Sequence, residues 1–372
     1  MAASLWAGRA IALLCCCATA AVGPPETPTF DRTRMGFPPL PRINASELSN
    51  PSSKYYDGGL PFVLSLTDTG IGSAQEDWSI DWFVEHGGFA DEIVDYYPSG
   101  MIDIRSKPYL RKMKDMREDW AAVGTPKWRH RLSTPYVQWR LNAGTWRRLK
   151  KNLDNLPSWF TVDESWLKAC LPKRSPEEWP ADNWMQHCHW KVLVVGKRGS
   201  GMFFHADGIG TATYQLQVVG RKRWTVCAPF EADRLYRAGE VDTFNVDENR
   251  FPLFKGAQCT LTTVKPGEVL YYPTGWWHQT DNLDTDTIGL AARRVDRHNY
   301  HRVFSEMTRK CENPAEDITK KWPGAAPPIS LTNCASIGKC YEIWRKEFTK
   351  PAGQCSSEAS AHGICELGGY AQ

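Results

Sequence analysis

The sequence has little net charge and no apolar run long enough to cross a bilayer. It carries 45 Lys and Arg residues against 42 Asp and Glu, a formal net charge of +3 over 372 residues. A domain that binds nucleic acid usually has a strongly basic surface, so the composition gives no support for such a partner. The apolar run from Ala10 to Val22 has 13 residues, whereas a membrane span needs ~20. We therefore expect no nucleic-acid partner and no stable membrane span.

This short run is typical of a signal peptide. Arg9 precedes it, and residues 18–20 have the small-residue pattern after which signal peptidase cleaves. We expect residues 1–20 to be removed and the product to enter the secretory pathway, either in the endoplasmic reticulum lumen or as a secreted protein. A buried N-terminal helix or an uncleaved anchor is the alternative. Residues 368–372 are not a KDEL-type retention signal, so the sequence leaves retention or secretion open.

The cysteines lack the spacing of a zinc site, since no close CxxC pair is present. Three of the 12 cysteines lie in the predicted signal peptide, which leaves nine. Five of these crowd into the last 62 residues, which are polar and rich in Gly, Pro and Ser: Cys311, Cys334, Cys340, Cys355 and Cys365. We predict disulfides in this Cys-rich C-terminal extension, residues 306–372, as expected of an oxidising compartment. An odd number leaves at least one thiol without a partner in the chain.

The segment after the predicted signal peptide is rich in proline. Residues 21–57 contain seven prolines and no sustained periodicity, which is typical of an extended linker. Asn44 begins an Asn-Ala-Ser triplet in this segment. Such a triplet is an acceptor for N-linked glycosylation when the chain is luminal. We therefore predict a glycoprotein modified at Asn44.

Short β-type runs separated by turn residues dominate the chain from residue 191 onward. They cover residues 191–195, 202–205, 214–219, 223–227, 258–264, 268–272 and 287–292. Such a series predicts a mainly β fold, and we expect a double-stranded β-helix, or jelly roll. The N-terminal half is more helical and mixed in pattern. Ser79 is a candidate helix N-cap, and Leu110, Met113 and Trp120 have near-helical spacing.

Three residues in the β region have the chemistry of a metal centre. His205 and Asp207 are two apart on a predicted strand, so their side chains project to the same side. His278 follows 73 residues later and can complete a site of two histidines and one carboxylate. This ligand set leaves coordination positions open and suits non-heme Fe(II). An isolated HxD pair is a weak signal, so the surrounding sequence decides its weight.

That surrounding sequence resembles the JmjC, or cupin-like, Fe(II)- and 2-oxoglutarate-dependent oxygenase family, most closely its phosphatidylserine-receptor-type members. The resemblance covers roughly residues 58–305, which we take as the oxygenase domain. Its most specific segments are HADGIGT at 205–211, VVGRKRW at 218–224, GEVLYYP at 267–273 and GWWH at 275–278.

The resemblance implies both the activity and the site. His205, Asp207 and His278 are similar to the catalytic iron ligands. Lys222 is similar to the residue that pairs with the distal carboxylate of the co-substrate 2-oxoglutarate, as a dicarboxylate fixed to metal at one end requires. O2-dependent hydroxylation or demethylation of a protein or peptide side chain is the implied reaction, with Lys and Arg as the first candidates.

The sequence also departs from the family pattern around the co-substrate. Family members place Thr and Asn where Met202, Ala291 and Arg293 stand here, and Asn where Gln215 stands. We expect Gln215, Tyr214 and Tyr136 to supply hydrogen bonds instead. Arg293 either adds a second cation near the co-substrate or is a surface residue. These departures leave two alternatives open: a catalytically inactive luminal or extracellular binding module, and a cupin that holds a metal other than iron.

Overall fold

Strands form the framework of the domain. The computed structural model describes residues 38–44, 47, 59–66, 71–98, 100–102, 106–127, 134–154, 156, 190–236, 240–296, 298–312 and 331–348. The strands in these residues are β1 (Arg42–Asn44), β2 (Phe62–Ser65), β3 (Ile93–Tyr97), β4 (Met101–Ile102), β5 (Tyr109–Lys112), β6 (Tyr136–Arg140), β7 (Lys191–Gly196), β8 (Gly201–Met202), β9 (His205–Ala206), β10 (Ala212–Val219), β11 (Lys222–Cys227), β12 (Cys259–Val264), β13 (Glu268–Tyr272), β14 (Trp277–Asn282) and β15 (Thr287–Arg294).

The helices occur before β7 and after β15. They are α1 (Ala74–Asp77), α2 (Ile80–Glu85), α3 (Met113–Ala122), α4 (Ala143–Leu149), α5 (Tyr300–Glu312) and α6 (Leu331–Phe348). Short 3₁₀ turns cover Lys150–Asn152, Pro229–Glu231 and Pro252–Gly256. None of the helices in these described stretches is both long and apolar enough to cross a membrane.

Two sheets organise the fold. The larger sheet has nine strands in the order β1-β2-β13-β10-β15-β7-β6-β3-β5. The smaller sheet has four strands in the order β12-β11-β14-β9. Buried side chains of both sheets, including Trp224 and Val226 of β11 and Leu270 of β13, pack into a shared apolar cluster. This arrangement confirms the mainly β, jelly-roll fold that the sequence predicts.

Strand alternation gives the larger sheet two different faces. Tyr214, Leu216 and Val218 of β10 belong to a core cluster with helical residues such as Phe83 and Trp146. That cluster covers the face that α1 to α4 pack against. The residues between them in sequence project to the opposite face, toward the smaller sheet, because successive strand residues point to opposite sides. The site described below lies on this second face.

The N-terminal half combines helices with strands of the larger sheet. Ser79 caps α2 as the sequence predicts, since its Oγ accepts a hydrogen bond from the Trp82 N–H at 3.0 Å. The expected helix around residues 108–120 is only partly present, because residues 109–112 form β5 and pair with β3. The helix begins at Met113 instead. Pairing with a sheet edge has overridden the helical spacing there.

The predicted linker contains a strand. Arg42–Asn44 pairs in parallel with β2 at the edge of the larger sheet. Asn44 is exposed there, and its backbone N–H donates to Glu47 Oε1 at 3.1 Å. The Arg42 guanidinium forms an ion pair with Glu268 of β13, which is itself largely buried. These contacts fix the segment around Asn44 against the domain.

Disulfides occur in the smaller sheet and near the C-terminus. Cys227 and Cys259 are cross-strand partners of β11 and β12 and are joined by a disulfide. Cys340 of α6 is also disulfide-bonded. The other C-terminal cysteines named above lie outside the residues whose side chains are described. Helices α5 and α6 pack through Phe304 and Trp344, whose ring centroids are 5.8 Å apart.

Candidate metal centre

Two neighbouring strands bring the three sequence-predicted metal ligands together. His205 of β9 and His278 of β14 are direct antiparallel partners. Asp207 follows β9, and its Oδ1 is 3.8 Å from His205 Nε2. One ligand atom from each residue lies within 4.8 Å of the other two. Both histidines are buried, so the three groups form a compact centre between the two sheets.

Backbone carbonyls orient both imidazole rings. His205 Nδ1 is 2.7 Å from the Phe203 carbonyl oxygen, and His278 Nδ1 is 3.1 Å from that of Trp276. A carbonyl can only accept, so each Nδ1 carries the proton and donates it. Each Nε2 is therefore left with a lone pair for the centre, as in metal sites whose histidines are held by outer hydrogen bonds. Burial lowers the pKa of His278 to about 3 and also lowers that of His205, so both are neutral as metal ligands must be.

Three donors fix one oxygen of Asp207. Its Oδ2 accepts hydrogen bonds from Thr213 Oγ1 at 2.7 Å and from the Tyr272 hydroxyl at 3.0 Å. It also forms an ion pair with Arg293 Nη1 at 2.5 Å. Burial by itself would raise the pKa of this carboxyl, but Arg293, the two histidines and Thr213 hold it well below its usual range. Asp207 is thus ionised, and Oδ1 is the oxygen on the side of His205.

The three donors form one row across the larger sheet. Thr213 of β10 is the cross-strand partner of Tyr272 on β13 and of Arg293 on β15. Because cross-strand partners project to the same face, all three side chains reach the same carboxylate. The Tyr272 hydroxyl is also 3.3 Å from His278 Nε2, and Gln215 hydrogen-bonds this hydroxyl.

Lys222 lies in the same cavity as the triad. It is 2% exposed, and none of the described residues places a carboxylate at ion-pair distance from its ammonium group. Burial alone lowers its pKa to about 7. Its Nζ is 5.9 Å from the centre of the Tyr136 ring, and both residues line the cavity. A buried cation that has no acidic partner among the described residues can bind an anion.

The remaining cavity wall is partly apolar. Met202 and Ala291 line it together with Val192 and Val194. Gln138, Thr213, Gln215 and Thr280 supply polar groups to the same cavity. The Thr280 hydroxyl is engaged, since it accepts from the Met202 N–H at 2.9 Å. The structure thus places Met202, Ala291 and Arg293, the departures from the family pattern, in one cavity wall.

One predicted co-substrate contact lies elsewhere. Tyr214 projects to the opposite face of β10, where its ring packs against Tyr271 and its hydroxyl accepts from Arg294 Nη1 at 2.5 Å. The expectation that Tyr214 contacts the co-substrate is therefore wrong. Adjacent strand residues cannot both face one cavity, so Gln215, which does face it, excludes Tyr214.

Sequence reasoning also missed Thr213, Tyr272, Gln138 and Thr280. Thr213 carried a usable signal, because it lies two residues before Gln215 on the same strand. Tyr272 carried none, because a turn separates the end of its strand from the strand of His278. Gln138 carried no such signal, since β6 was not predicted as a strand.

The residues of the centre fit a divalent transition metal. Two neutral imidazole nitrogens and one carboxylate oxygen converge from one side, which is the two-histidine, one-carboxylate set of non-heme iron sites. Lys222 lines the cavity beside them, and no carboxylate of the described residues forms an ion pair with its ammonium group, so this position fits an anionic group. The geometry therefore accommodates a metal and an anionic ligand side by side.

Comparisons with known proteins agree with this geometry. A family model described as a cupin-like domain matches residues 146–293. The chain is 29% identical over 304 residues to arginine-specific demethylase JMJ20 of Arabidopsis thaliana, across 75% of this chain and 62% of that protein. It is 28% identical over 178 residues to human HSPB1-associated protein 1, across 43% of this chain and 33% of that protein. It is 27% identical over 169 residues to the 2-oxoglutarate and iron-dependent oxygenase JMJD4 homolog of Drosophila melanogaster, across 45% of this chain and 36% of that protein.

The matched regions are less than two thirds of the length of these relatives. The match to the cupin-like domain, residues 146–293, includes the strands β9 and β14 that carry the two histidines of the centre. The chain is thus similar to a cupin-like domain over residues 146–293, and to proteins named as an arginine-specific demethylase and as a 2-oxoglutarate and iron-dependent oxygenase.

Proposed function

We propose that this protein is an Fe(II)- and 2-oxoglutarate-dependent oxygenase that acts on a protein or peptide side chain. The observation that carries the proposal is the cavity itself, which has the triad of His205, Asp207 and His278 and also the buried Lys222 in its wall. A metal-only cupin has no need of that lysine. A 2-oxo dicarboxylate needs both the metal triad and the lysine, because its oxo-acid end binds the metal and its distal carboxylate needs a cation.

The residues of the chain have distinct tasks in this reaction. The triad holds the metal from one side, and the carbonyls of Phe203 and Trp276 keep the imidazoles turned toward it. Lys222 and Tyr136 bind the distal carboxylate and so set the orientation of the co-substrate. Bound Fe(II) supplies the activation of O2, coupled to the oxidative decarboxylation of 2-oxoglutarate. The burial of His205 and His278 limits contact between the centre and bulk water.

The substrate class is supported by relatives rather than by the cavity. Matched proteins include an arginine-specific demethylase and a lysine-specific demethylase, JMJ21 of Arabidopsis thaliana. We therefore take an Arg or Lys side chain as the first candidate substrate. Hydroxylation and demethylation share the initial oxidation of a C–H bond, and the proposal includes both.

A second candidate function is a binding module without turnover. Met202 and Ala291 leave part of the cavity wall apolar, and Arg293 already engages the carboxylate of the triad. The same three ligands would also hold Mn(II) or Zn(II), since ligand affinity by itself does not select iron. These candidates differ from the oxygenase in one property, because neither requires 2-oxoglutarate.

The pH dependence of 2-oxoglutarate binding tests the role of Lys222. Its pKa in the free protein is lowered to about 7, so it loses its proton above this pH, and binding of a carboxylate then requires proton uptake. We expect the Kd to be flat below about pH 7 and to rise by up to about tenfold per pH unit above it. Calorimetry with Mn(II)-loaded protein measures this.

Other charged groups of the cavity do not produce this profile. Burial raises the pKa values of Tyr136 and Tyr272 and lowers those of His205 and His278. The pKa of Asp207 lies far below neutrality, and Arg293 stays charged. Pyruvate is the matched control ligand, because it is a 2-oxo acid without a distal carboxylate. An equal pH profile for pyruvate and 2-oxoglutarate would contradict the assignment of Lys222.

We further propose that the protein folds in the secretory pathway. The buried Cys227–Cys259 disulfide supports this, because such bonds persist in oxidising compartments. The exposed position of Asn44 in the edge strand β1 leaves room for a glycan. Residues 1–20 lie outside the described residues, so the predicted signal peptide stays a prediction.

Glycosylation at Asn44 tests the compartment. Protein from secretion-competent cells should lose apparent mass when an N-glycosidase removes N-linked sugars. Asn44→Gln and Ser46→Ala should each abolish the shift, since each destroys the acceptor triplet. A wild-type chain whose mass does not change on treatment would contradict luminal folding.

A further inference from the structure

Arg293 lies in the cavity and forms an ion pair with a metal ligand. Its Nη1 is 2.5 Å from Oδ2 of Asp207, and its side chain is 9% exposed. It also donates to Thr213 Oγ1 at 3.2 Å, and the β10–β15 register holds the two residues opposite each other. A metal on Oδ1 at ~2.1 Å would lie roughly 5–6 Å from this permanently charged group.

The protein charges in the cavity are unbalanced. Among the described residues that line it, Arg293 and the protonated Lys222 are cations, while Asp207 is the single carboxylate. A divalent metal ion adds positive charge to a buried space that already carries an excess of it. Repulsion between a metal ion and a guanidinium a few ångströms apart is large where water is excluded. A dicarboxylate in the same cavity offsets that excess.

The ion pair also holds the carboxylate of Asp207 in place. Arg293, Thr213 and Tyr272 all bind its Oδ2. The guanidinium is thus a counter-charge of the carboxylate. When a metal binds, the carboxylate of Asp207 interacts with the metal ion and the Arg293 guanidinium at the same time.

We propose that Arg293 competes with the metal for Asp207, so that the metal binds weakly until a dicarboxylate enters the same cavity. The identity of the dicarboxylate, 2-oxoglutarate, rests on the proposed function. Because coupling between two ligands is reciprocal, the factor by which 2-oxoglutarate tightens the metal is also the factor by which the metal tightens 2-oxoglutarate. Arg293 thereby makes metal loading dependent on the co-substrate.

Mn(II) binding tests this inference without turnover. Free Mn(II) is counted by electron paramagnetic resonance in titrations with and without 2-oxoglutarate, in wild type, Arg293→Gln, Arg293→Lys and Arg221→Gln. Arg221→Gln is the matched control, because it removes the same charge from an exposed pair with Asp284. Arg293→Gln should tighten Mn(II) without 2-oxoglutarate by about tenfold or more and shrink the enhancement by 2-oxoglutarate to a similar degree. Arg293→Lys keeps the charge and should bind Mn(II) as weakly as wild type.

The outcomes separate this inference from the proposed function. Weaker Mn(II) binding by Arg293→Gln, with and without 2-oxoglutarate, would show that Arg293 only positions Asp207 and would overturn the competition. If 2-oxoglutarate leaves Mn(II) binding unchanged in wild type while Arg293→Gln still tightens it, the competition stands and the co-substrate assignment fails. Circular dichroism verifies folding, and Arg293→Asn replaces the glutamine variant if that variant does not fold.

Discussion

Replacing Asp207 by alanine is expected to abolish metal binding and to lower the free energy of unfolding by about 3–5 kcal/mol. Removal of one partner of a buried ion pair costs this much because the other charge stays buried without compensation. Here Arg293 loses its ion pair with Asp207, and Thr213 and Tyr272 lose their shared acceptor. Metal affinity should fall by about a thousandfold or more, beyond the ten- to hundredfold typical of outer hydrogen-bond partners. Denaturant unfolding and Mn(II) titration measure the two effects.

A second substitution separates these effects. Asp207→Ala combined with Arg293→Met removes both charges, so the double variant should recover most of the lost stability. It should still bind no metal, because the carboxylate ligand is absent. A double variant no more stable than Asp207→Ala would show that the ion pair does not explain the loss.

Replacing Lys222 by methionine is expected to abolish 2-oxoglutarate binding and at the same time to stabilise the metal-free protein. The variant removes the cation for the distal carboxylate, and the loss of a buried charge-assisted pair should weaken binding by about a hundredfold or more. Methionine fills a similar volume and needs no hydrogen-bond partner. The free energy of unfolding should therefore rise by a few kcal/mol at pH below about 7.

The pH dependence of this stabilisation has a defined sign. The folded pKa of Lys222 is lowered to about 7, whereas the unfolded value is about 10.4. The folded state therefore binds fewer protons between these values, and the stability of wild type rises with pH across this window. The advantage of Lys222→Met should be largest below about pH 7 and should vanish above about pH 10. Lys255→Met, at an exposed position, is the control and should show neither effect.

An opposite result would change the role of Lys222. If Lys222→Met destabilised the metal-free protein at every pH, the lysine would be a structural residue held by contacts beyond the described ones. Unchanged 2-oxoglutarate affinity in this variant would remove the lysine from the co-substrate site.

The sequence points to the candidate metal ligands because their pattern is mostly local. His205 and Asp207 share one short segment, and strand alternation alone puts them on one side. The motifs around His278 then place the third ligand by resemblance. In the structure these three residues and Lys222 line one cavity.

The support around the centre could not be predicted in the same way, because it depends on long-range strand pairing. Tyr272, Thr213 and Arg293 are far apart in sequence and meet only through the order β13-β10-β15. The sequence also left open whether Arg293 faces the cavity or the surface. Register decides this, since Arg293 pairs with Thr213 while its neighbour Arg294 contacts Tyr214 on the other face.

The strand β14 was missed for a related reason. Trp277–Asn282 contains His, Gln, Thr, Asp and Asn, which give it no apolar run. Some of these polar residues have hydrogen-bond partners in distant segments. Gln279, for example, accepts from the Thr243 N–H at 2.7 Å and donates to Asp242 at 2.8 Å. Local composition therefore hides a strand whose stability comes from tertiary hydrogen bonds.

The most direct test of the oxygenase assignment is an anaerobic titration of the protein with Fe(II) and then 2-oxoglutarate, observed in the visible spectrum. A metal-to-ligand charge-transfer band should appear with both ligands, vanish in His205→Ala and weaken in Lys222→Ala. Fe(II) binding by wild type with no band on addition of 2-oxoglutarate would contradict the oxygenase assignment and favour a metal-binding cupin or an inactive module.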